Sequence, residues 1–326
     1  MSSTSANPEH PIPDAWRREG LRHYAYSHYL QSVFGGRVRK ISVDAGLGCP
    51  NRDGSLGWGG CVFCDPATFS PSRRIGGRSI AEQIGATATR LRDRYGQCQF
   101  IAYFQPGTNT YGPIERLRAA FEEAVAQPGI VGVAVGTRPD CVADDVLDLL
   151  SDLARRVYVV VEYGVQSSHD RSLAWLGRGH DFQTTALAIQ ATRERGLRCV
   201  AHVILGIPEE SIDDMLATAD VLSSLGVHGV KLHQLHAVRS TPLAEMVRSG
   251  EVALPSLQVY ADWAVRFLER IPADRVIERL HADAASEHLV GPAWSSDGSR
   301  ARGAIELELA RRDTWQGRFA RASSHG

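Results

Sequence analysis

The segment DAGLGCPNRDGSLGWGGCVFC, residues 44–64, carries three of the six cysteines of this chain on a glycine-rich loop. The three are Cys49, Cys61 and Cys64, in the spacing C-x11-C-x2-C. Packing alone explains them poorly, because buried cysteines belong to core segments rather than to glycine-rich loops. A disulfide framework also fits poorly in a chain of 326 residues whose start is not typical of a signal peptide. The spacing therefore predicts a metal or cluster site.

Two kinds of site contain a C-x2-C pair. A structural zinc ion usually takes four protein ligands, commonly from two such pairs, but this loop has one pair and no histidine. Three thiolates suit a [4Fe–4S] cluster that keeps one iron without a protein ligand, since cluster irons take thiolates and open metal positions bind substrate. The glycines would let the backbone wrap a large inorganic core. The loop therefore favours the cluster.

The composition is that of a globular protein, with 43% hydrophobic residues and a formal net charge of −1. That hydrophobic fraction is enough for a sizeable core, and the small net charge does not draw the chain toward nucleic acid or an anionic membrane. No apolar run approaches the roughly 20 residues that a membrane span needs. We therefore expect a cytoplasmic protein that does not associate with membranes.

Around the cysteine loop, continuous apolar runs alternate with amphipathic helical sequence. The apolar runs predict six strands, at residues 38–44, 99–104, 130–137, 157–165, 198–207 and 229–238. Helical periodicity is found at residues 24–34, 79–95, 113–126, around 146–153, 183–195 and 212–225. Strands that are apolar on both faces, alternating with helices, indicate a parallel sheet covered on both sides. Six units are fewer than the eight of a closed barrel, so an open doubly wound sheet and a partial barrel both fit.

No low-complexity linker or internal repeat divides the chain. We expect a disordered or loosely packed leader over residues 1–22 and a core over residues 23–240. Residues 241–326 break the alternation with two helices, a short strand near 276–281 and a last helix around 304–312. This C-terminal part is predicted to be an appendage packed on the core sheet.

Polar residues gather where the predicted strands end. The second to fifth strands are followed or closed by QPGTNTY (105–111), TRPDC (137–141), YGVQSS (163–168) and LGIPEE (205–210). The sixth strand carries Lys231, His233 and His236. In parallel α/β folds the carboxyl ends of the strands form the functional site. The sequence therefore predicts an active site at this edge of the sheet.

With these stretches the chain resembles the radical S-adenosylmethionine (SAM) superfamily. More narrowly, it resembles the group with an Elp3-like core, and within that group the bacterial YhcC-type branch. The cysteine loop and six further stretches carry the resemblance: AYFQPGTNTYGP, GTRPDCVADDVLDLL, VEYGVQSSHDRSL, GRGHDFQTTALAI, HVILGIPEESIDDML and GVKLHQLHAV. They cover roughly residues 24–294 in the family's order. The long gap before Cys61 is typical of this branch, since most members of the superfamily have C-x3-C-x2-C.

The resemblance implies an α/β fold, a partial (βα)6 barrel with a small C-terminal α/β appendage. It implies that Cys49, Cys61 and Cys64 hold a [4Fe–4S] cluster, and that the amino and carboxylate groups of SAM chelate the fourth iron. A flavodoxin- or ferredoxin-like electron donor would reduce the cluster. SAM would then be cleaved to methionine and a 5′-deoxyadenosyl radical, which takes a hydrogen atom from a substrate that the sequence does not identify.

The resemblance also suggests contacts with SAM. Gln105, Thr108 and Asn109 occupy the place of the second-strand motif that holds the amino group of SAM. Gln166 matches the position that binds the ribose hydroxyls, although it could instead cap the following helix.

Three further residues belong to the same expected pocket. Arg178 falls where an arginine pairs with the SAM carboxylate, a task suited to guanidinium, although most arginines form surface ion pairs. His202 stands where related enzymes often have an aspartate that contacts the ribose, and a buried core histidine is the alternative. Arg138 is a looser candidate for the pocket.

Two other functions remain open at this point. Proteins with an Elp3-like core include tRNA-modifying enzymes, and basic residues accompany tyrosines over residues 16–40 and recur over residues 300–321. Such patterns bind single-stranded RNA, but an exposed helix face looks the same, and no usual RNA-binding motif is present. The other function is that of a non-catalytic Fe–S or zinc protein.

The remaining cysteines are scattered along the sequence, which argues against a second cluster. Cys98 and Cys199 begin predicted strands and are expected to be buried structural thiols. Cys141 follows a strand end, and we expect it to lie nearer the active site.

Overall fold

The computed structural model of the protein describes residues 15–69 and 77–321. Its strands are β1 (Val38–Val43), β2 (Gln99–Phe104), β3 (Ile130–Thr137), β4 (Tyr158–Gln166), β5 (Arg198–Leu205), β6 (Gly229–Gln234), β7 (Ala237–Val238), β8 (Val276–Arg279) and β9 (Leu289–Gly291). One seven-stranded sheet has the order β1-β2-β3-β4-β5-β6-β8, and its neighbours are parallel. The predicted parallel alternation is confirmed.

Helices surround this sheet. They are α1 (Ala15–Arg18), α2 (Tyr26–Phe34), α3 (Pro66–Phe69), α4 (Ile80–Tyr95), α5 (Ile114–Val125), α6 (Asp144–Ala154), α7 (Asp170–Trp175), α8 (Phe182–Glu194), α9 (Ile212–Ser224), α10 (Pro242–Arg248), α11 (Leu257–Arg270) and α12 (Gly298–Arg311). α4 begins with a capping box, in which the Ser79 hydroxyl accepts the Glu82 N–H and the Glu82 carboxylate accepts the Ser79 N–H. None of the helices in the described ranges is long and apolar enough to cross a membrane.

The sheet is curled into a half-barrel. β1 and β8 are its two edge strands, yet Nζ of Lys40 on β1 lies 2.6 Å from Oε2 of Glu278 on β8. In a flat sheet, six spacings of about 4.8 Å would separate these strands by roughly 29 Å. The strands therefore wrap around a shared interior, and the larger apolar core lies between their outer face and the helices. The expected partial barrel is confirmed, and the open doubly wound sheet is excluded.

The seventh strand comes from the C-terminal part of the chain. The short strand expected near residues 276–281 is β8, which pairs with β6 through Gly229 and Val276 and so extends the main sheet. The predicted strand 229–238 is two strands, because the chain leaves the sheet after β6. Its last residues form β7, which pairs antiparallel with β9.

The amino end of the half-barrel is closed by the first described residues. Trp16 is 1% exposed, and its indole N–H donates to the Ala273 carbonyl over 3.0 Å. It packs in one apolar cluster with residues of α2 and of the strand interiors. The expectation of loose packing over residues 1–22 does not hold at Trp16, where burial of a large aromatic side chain outweighs the entropy lost on ordering, while residues 17–21 are exposed. Residues 1–14 lie outside the described residues.

Candidate active site

A cavity of about 430 Å3 lies at the carboxyl edge of the sheet, enclosed by the cysteine loop and the strand ends. This volume is in the usual range of cofactor and small-molecule sites. Cys49, Cys61 and Cys64 all line the cavity. The three thiols predicted to act together are thus brought to one place, at the edge where the site is expected.

The cysteine loop is anchored on the turn that follows α7. The Asn51 side-chain amide donates to the Gly177 carbonyl over 2.7 Å and lies 3.4 Å from the Cys61 sulfur. The Val62 N–H donates to the Leu176 carbonyl over 3.1 Å. These bonds tie a loop that has little regular structure to a buried turn, so they hold Cys61 in the cavity wall.

The thiols differ in their electrostatic surroundings. Burial alone would raise the pKa of Cys61, but the charge and hydrogen bonds of Arg178 and Asn51 outweigh it and lower that pKa; Arg178 Nη1 lies 3.3 Å from Sγ. Burial and then the neighbouring Cys61 thiolate raise the pKa of Cys64 to about 12. Thiolates gathered in one cavity repel each other. Cys61 is therefore the more readily ionised of these two thiols.

A single metal ion and a cluster make different demands on the donor set. Within residues 15–69 and 77–321, no three histidine, cysteine, aspartate or glutamate side chains are placed to hold one metal ion in common. A structural zinc ion needs four ligands at about 2.0–2.3 Å from one point. A [4Fe–4S] cluster has no such requirement, because each thiolate binds a different iron.

Two buried arginines lie beside the thiols. Arg138 makes a bidentate pair with Asp140, at 2.9 and 2.8 Å, and its Nη2 donates to the Arg178 carbonyl over 2.6 Å. Arg178 is 6% exposed, and its Nη2 donates to the Gly164 carbonyl over 2.7 Å. Arg178 is therefore not in a surface ion pair. Within the described residues, Nη1 of Arg138 and Nε of Arg178 are buried without an acceptor, so the cavity wall has donors for an anionic group.

Gln166 ends β4 in an unusual conformation. Its φ is +69°, a left-handed value that is uncommon for residues other than glycine, and the β4–β5 register shifts there. Its side chain lines the cavity. Gly164 leaves room for the Gln166 and Arg178 side chains. A Cβ at position 164 would lie 2.8 Å from Gln166 Nε2 and 3.1 Å from Arg178 Nη2.

The residues expected to hold the SAM amino group divide into two kinds. Gln105 and Thr108 line the cavity. Asn109 is not among the cavity residues; it is fully buried, and its amide donates to the Phe104 and Gly136 carbonyls over 2.9 Å each. The Asn109 amide nitrogen therefore joins the ends of β2 and β3, while its Oδ1 is buried without a donor among the described residues.

His202 also lines the cavity, and it belongs to a group of buried charges inside the half-barrel. Its Nε2 lies 2.7 Å from Oε2 of Glu162, a carboxylate that is fully buried. Glu162 also accepts hydrogen bonds from Lys40 and Lys231, and these two cations keep the Glu162 pKa well below its usual range despite burial. Burial and then the charge of Lys231 lower the pKa of His202 to about 4. His202 is therefore neutral near pH 7.

We call Lys40, Glu162, Lys231 and Glu278 the ionic layer of the barrel. Lys40 bridges Glu162 and Glu278, and Lys231 Nζ lies 2.5 Å from Glu162 and 3.8 Å from Glu278. Burial lowers the pKa of Lys231 to about 8, although Glu162 opposes the shift. Two cations and two carboxylates face each other, so the layer is balanced in charge.

Of this layer, only Lys231 is predicted from the sequence to lie at the active site. A signal for the others was present, because Lys40 and Glu162 lie within apolar strands, where a charge needs a partner. Moreover, Lys40 and Lys231 are the only lysines of the chain. The sequence did not reveal that one carboxylate on β4, that of Glu162, pairs with both lysines.

The basic stretch at residues 16–40 is engaged within the chain in part. Lys40 is in the ionic layer, and Arg22 pairs with Asp313. Arg17 lies over the Trp315 ring, with 4.4 Å from its guanidinium carbon to the ring centroid; Arg37 and Arg39 lie over Tyr95, at 6.0 and 4.4 Å. These three arginines nevertheless remain exposed.

The other cysteines lie outside the cavity lining. Cys199 is fully buried at the start of β5, and Cys98 is half-buried just before β2. Cys141 ends a 3-10 helix (Pro139–Cys141) that follows β3. Cys141 is thus at the carboxyl edge of the sheet, while Cys98 and Cys199 are at the opposite edge.

Comparison with known proteins agrees with this geometry. A model of the radical SAM superfamily matches residues 46–222, more than half of the chain, and a model of the radical SAM C-terminal domain matches residues 227–311. The chain belongs to the radical SAM superfamily. The resemblance seen in the cysteine loop and the strand ends is confirmed.

Two bacterial proteins are similar to most of this chain. YtqA of Bacillus subtilis (strain 168) is 36% identical over 298 residues, which cover 91% of this chain and 92% of YtqA. YhcC of Escherichia coli (strain K12) is 37% identical over 280 residues, which cover 86% of this chain and 89% of YhcC. The expected YhcC-type relationship is therefore confirmed.

Among solved structures, an N-terminally truncated Elp3 of the archaeon Methanocaldococcus infernus has the same fold. Its TM-score is 0.65 at 18% identity, and the match covers 86% of this chain and 64% of the Elp3 chain. This chain thus spans less than two thirds of that protein. The likeness establishes an Elp3-like radical SAM fold.

Proposed function

We propose that this protein is a radical SAM enzyme whose [4Fe–4S] cluster is held by Cys49, Cys61 and Cys64. The observation that carries the proposal is the convergence of these thiols on one cavity that also contains Gln166 and Arg178. When bound, the cluster supplies the electron that cleaves SAM to methionine and a 5′-deoxyadenosyl radical, which takes a hydrogen atom from the substrate.

The arginines of the wall bind and orient SAM in this proposal. Arg178 binds the SAM carboxylate, since its Nε is a buried donor without an acceptor among the described residues. Arg138 supports Arg178 through the carbonyl of that residue, and its own free Nη1 donates into the same region. Gln105 and Thr108 contact the SAM amino group from the end of β2.

Gln166 and His202 are proposed to bind the ribose of SAM. Glu162 is ionised, so the His202 nitrogen beside it, Nε2, carries the proton of the neutral ring. Nδ1 is then an acceptor. His202 can thus accept a hydrogen bond from a ribose hydroxyl, as an aspartate at this position would, and this accounts for the departure from the usual family residue.

The reductant is proposed to be a flavodoxin- or ferredoxin-like protein, and the compartment is the cytoplasm, where thiols stay reduced. The proposal does not specify the substrate.

The test begins with anaerobic purification and cluster reconstitution, followed by addition of SAM and dithionite. We expect about four irons per chain and formation of 5′-deoxyadenosine. Cys61→Ala should lose both, whereas Cys98→Ala, outside the cavity, should keep both. One zinc and no iron per chain, without 5′-deoxyadenosine, would contradict the proposal.

A further inference from the structure

Inward-facing strand residues form the side of the cavity that lies deepest in the half-barrel. They are Tyr103, Glu162, His202, His233 and Arg279, from β2, β4, β5, β6 and β8. We call this set the inner face of the cavity. The cysteines and the other proposed SAM contacts belong instead to the loop and to the strand ends.

Arg279 is the cation of the inner face that has no carboxylate partner. The two lysines of the ionic layer are balanced by Glu162 and Glu278. Among the described residues, no carboxylate oxygen lies within 4.0 Å of the Arg279 guanidinium, and its Nε is buried without an acceptor. Asp283, a second carboxylate of the cavity lining, is held by His281 at 3.2 Å.

His233 contacts this guanidinium but does not neutralise it. Nη2 of Arg279 lies 2.7 Å from Nδ1 of His233 and also contacts Nε2 of the same ring. Burial and then the charge of Arg279 lower the His233 pKa well below its usual range, so the ring is neutral. Burial also lowers the pKa of Arg279 itself. Arg279 therefore carries a partly desolvated positive charge, which Glu162 and Asp283 offset only from beyond 4.0 Å.

We infer that Arg279 binds an anionic oxygen group of the substrate, either a carboxylate or a phosphate, at the inner face of the cavity. A guanidinium fork suits both groups, because each offers two oxygens for parallel N–H donors. This inference rests on the proposed function, since it places the substrate in the same cavity as SAM. The anionic end of the substrate lies at β8, and the remainder extends toward the cysteine loop.

The test is calorimetric titration of inorganic phosphate and of acetate, each at constant ionic strength, into reconstituted protein saturated with SAM. We expect one anion to bind at least tenfold more tightly to the unaltered protein than to Arg279→Gln. Tighter binding of phosphate assigns a phosphate ester, and tighter binding of acetate assigns a carboxylic acid. Arg248→Gln, a surface change on α10, should leave both affinities unaltered.

Three results would overturn the inference: neither anion binds, Arg279→Gln binds both as well as the unaltered protein, or Arg279→Gln loses SAM. The last would make Arg279 a cofactor residue. If Arg279→Gln does not fold, Arg279→Lys keeps the charge without the fork; weaker anion binding then supports the inference, and unchanged binding overturns it. Production of 5′-deoxyadenosine is measured separately, so failure of anion binding is distinct from failure of the proposed chemistry.

Discussion

Lys40 and Glu278 form an ion pair across the opening of the half-barrel, with Nζ 2.6 Å from Oε2. They lie 238 residues apart in sequence, on the two edge strands of the main sheet. Lys40 also pairs directly with Glu162 at the centre of the barrel. Glu278 is linked to Glu162 through Lys40 and Lys231. The ionic layer thus joins the edges of a curled sheet that has no backbone pairing between them.

Removing the central carboxylate should destabilise the protein strongly. In Glu162→Gln, two buried lysines lose their shared counter-charge, and we expect a loss of about 3–5 kcal/mol in the free energy of unfolding. Urea denaturation followed by circular dichroism measures it. Glu122→Gln removes a half-exposed pair with Arg156 and should cost less than about 1 kcal/mol. Equal losses in the two variants would show that the layer has no special role.

Arg178 should increase the affinity for SAM through the bidentate geometry of its guanidinium as well as through its charge. Arg178→Gln is expected to weaken SAM binding at least tenfold, about 1.4 kcal/mol, and Arg178→Lys should be intermediate because an ammonium makes no bidentate contact. Equilibrium dialysis with labelled SAM checks this on reconstituted protein. Arg155→Gln, on the exposed surface, is the control. Unchanged affinity in both Arg178 variants would remove this residue from the SAM site.

The neutral His202 ring predicts a pH dependence of stability. Its pKa is about 4 in the folded protein and about 6.5 in the unfolded chain. Between these values the unfolded chain binds more protons, so stability is lost as the pH falls from 6.5 toward 4. The contribution of this residue is on the order of 3 kcal/mol.

The groups that face this ring are Glu162, Lys231, His233 and Arg279. The carboxylate and the two cations stay charged over this range, and His233 also stays neutral until low pH. Chemical denaturation at several pH values should therefore give a flatter profile for His202→Gln than for the unaltered protein. Parallel profiles would mean that His202 titrates normally.

Trp16 should contribute to stability despite its position near the start of the chain. Trp16→Ala empties a site that is 1% exposed and removes the bond to the Ala273 carbonyl, so we expect a loss of about 3–5 kcal/mol. Thermal or urea denaturation measures it. Trp58→Ala is the matched control, because Trp58 is 81% exposed and should cost no more than about 0.5 kcal/mol. A loss below 1 kcal/mol for Trp16→Ala would contradict the packing described.

Local patterns predicted much of the fold and part of the site. β2 and β3 have the bounds expected from their apolar runs, because a strand buried on both faces is continuous in sequence. Gln166 and Arg178 were reached by family resemblance, and both line the cavity. The resemblance also assigns Asn109 to SAM; the structure adds that its amide nitrogen donates to strand-end carbonyls, a contact that no local pattern reveals.

The sequence by itself determined the βα alternation, the three clustered cysteines and the polar strand ends, since each is a property of residues close together in the chain. Only the tertiary structure decided that β8 completes the sheet, that Lys40 meets Glu278, and that Arg279 has no carboxylate within 4.0 Å in the described part of the chain. The reason is physical. The partners of a buried charge depend on how far the whole sheet curls, and that curvature is set by packing between strands that are distant in sequence.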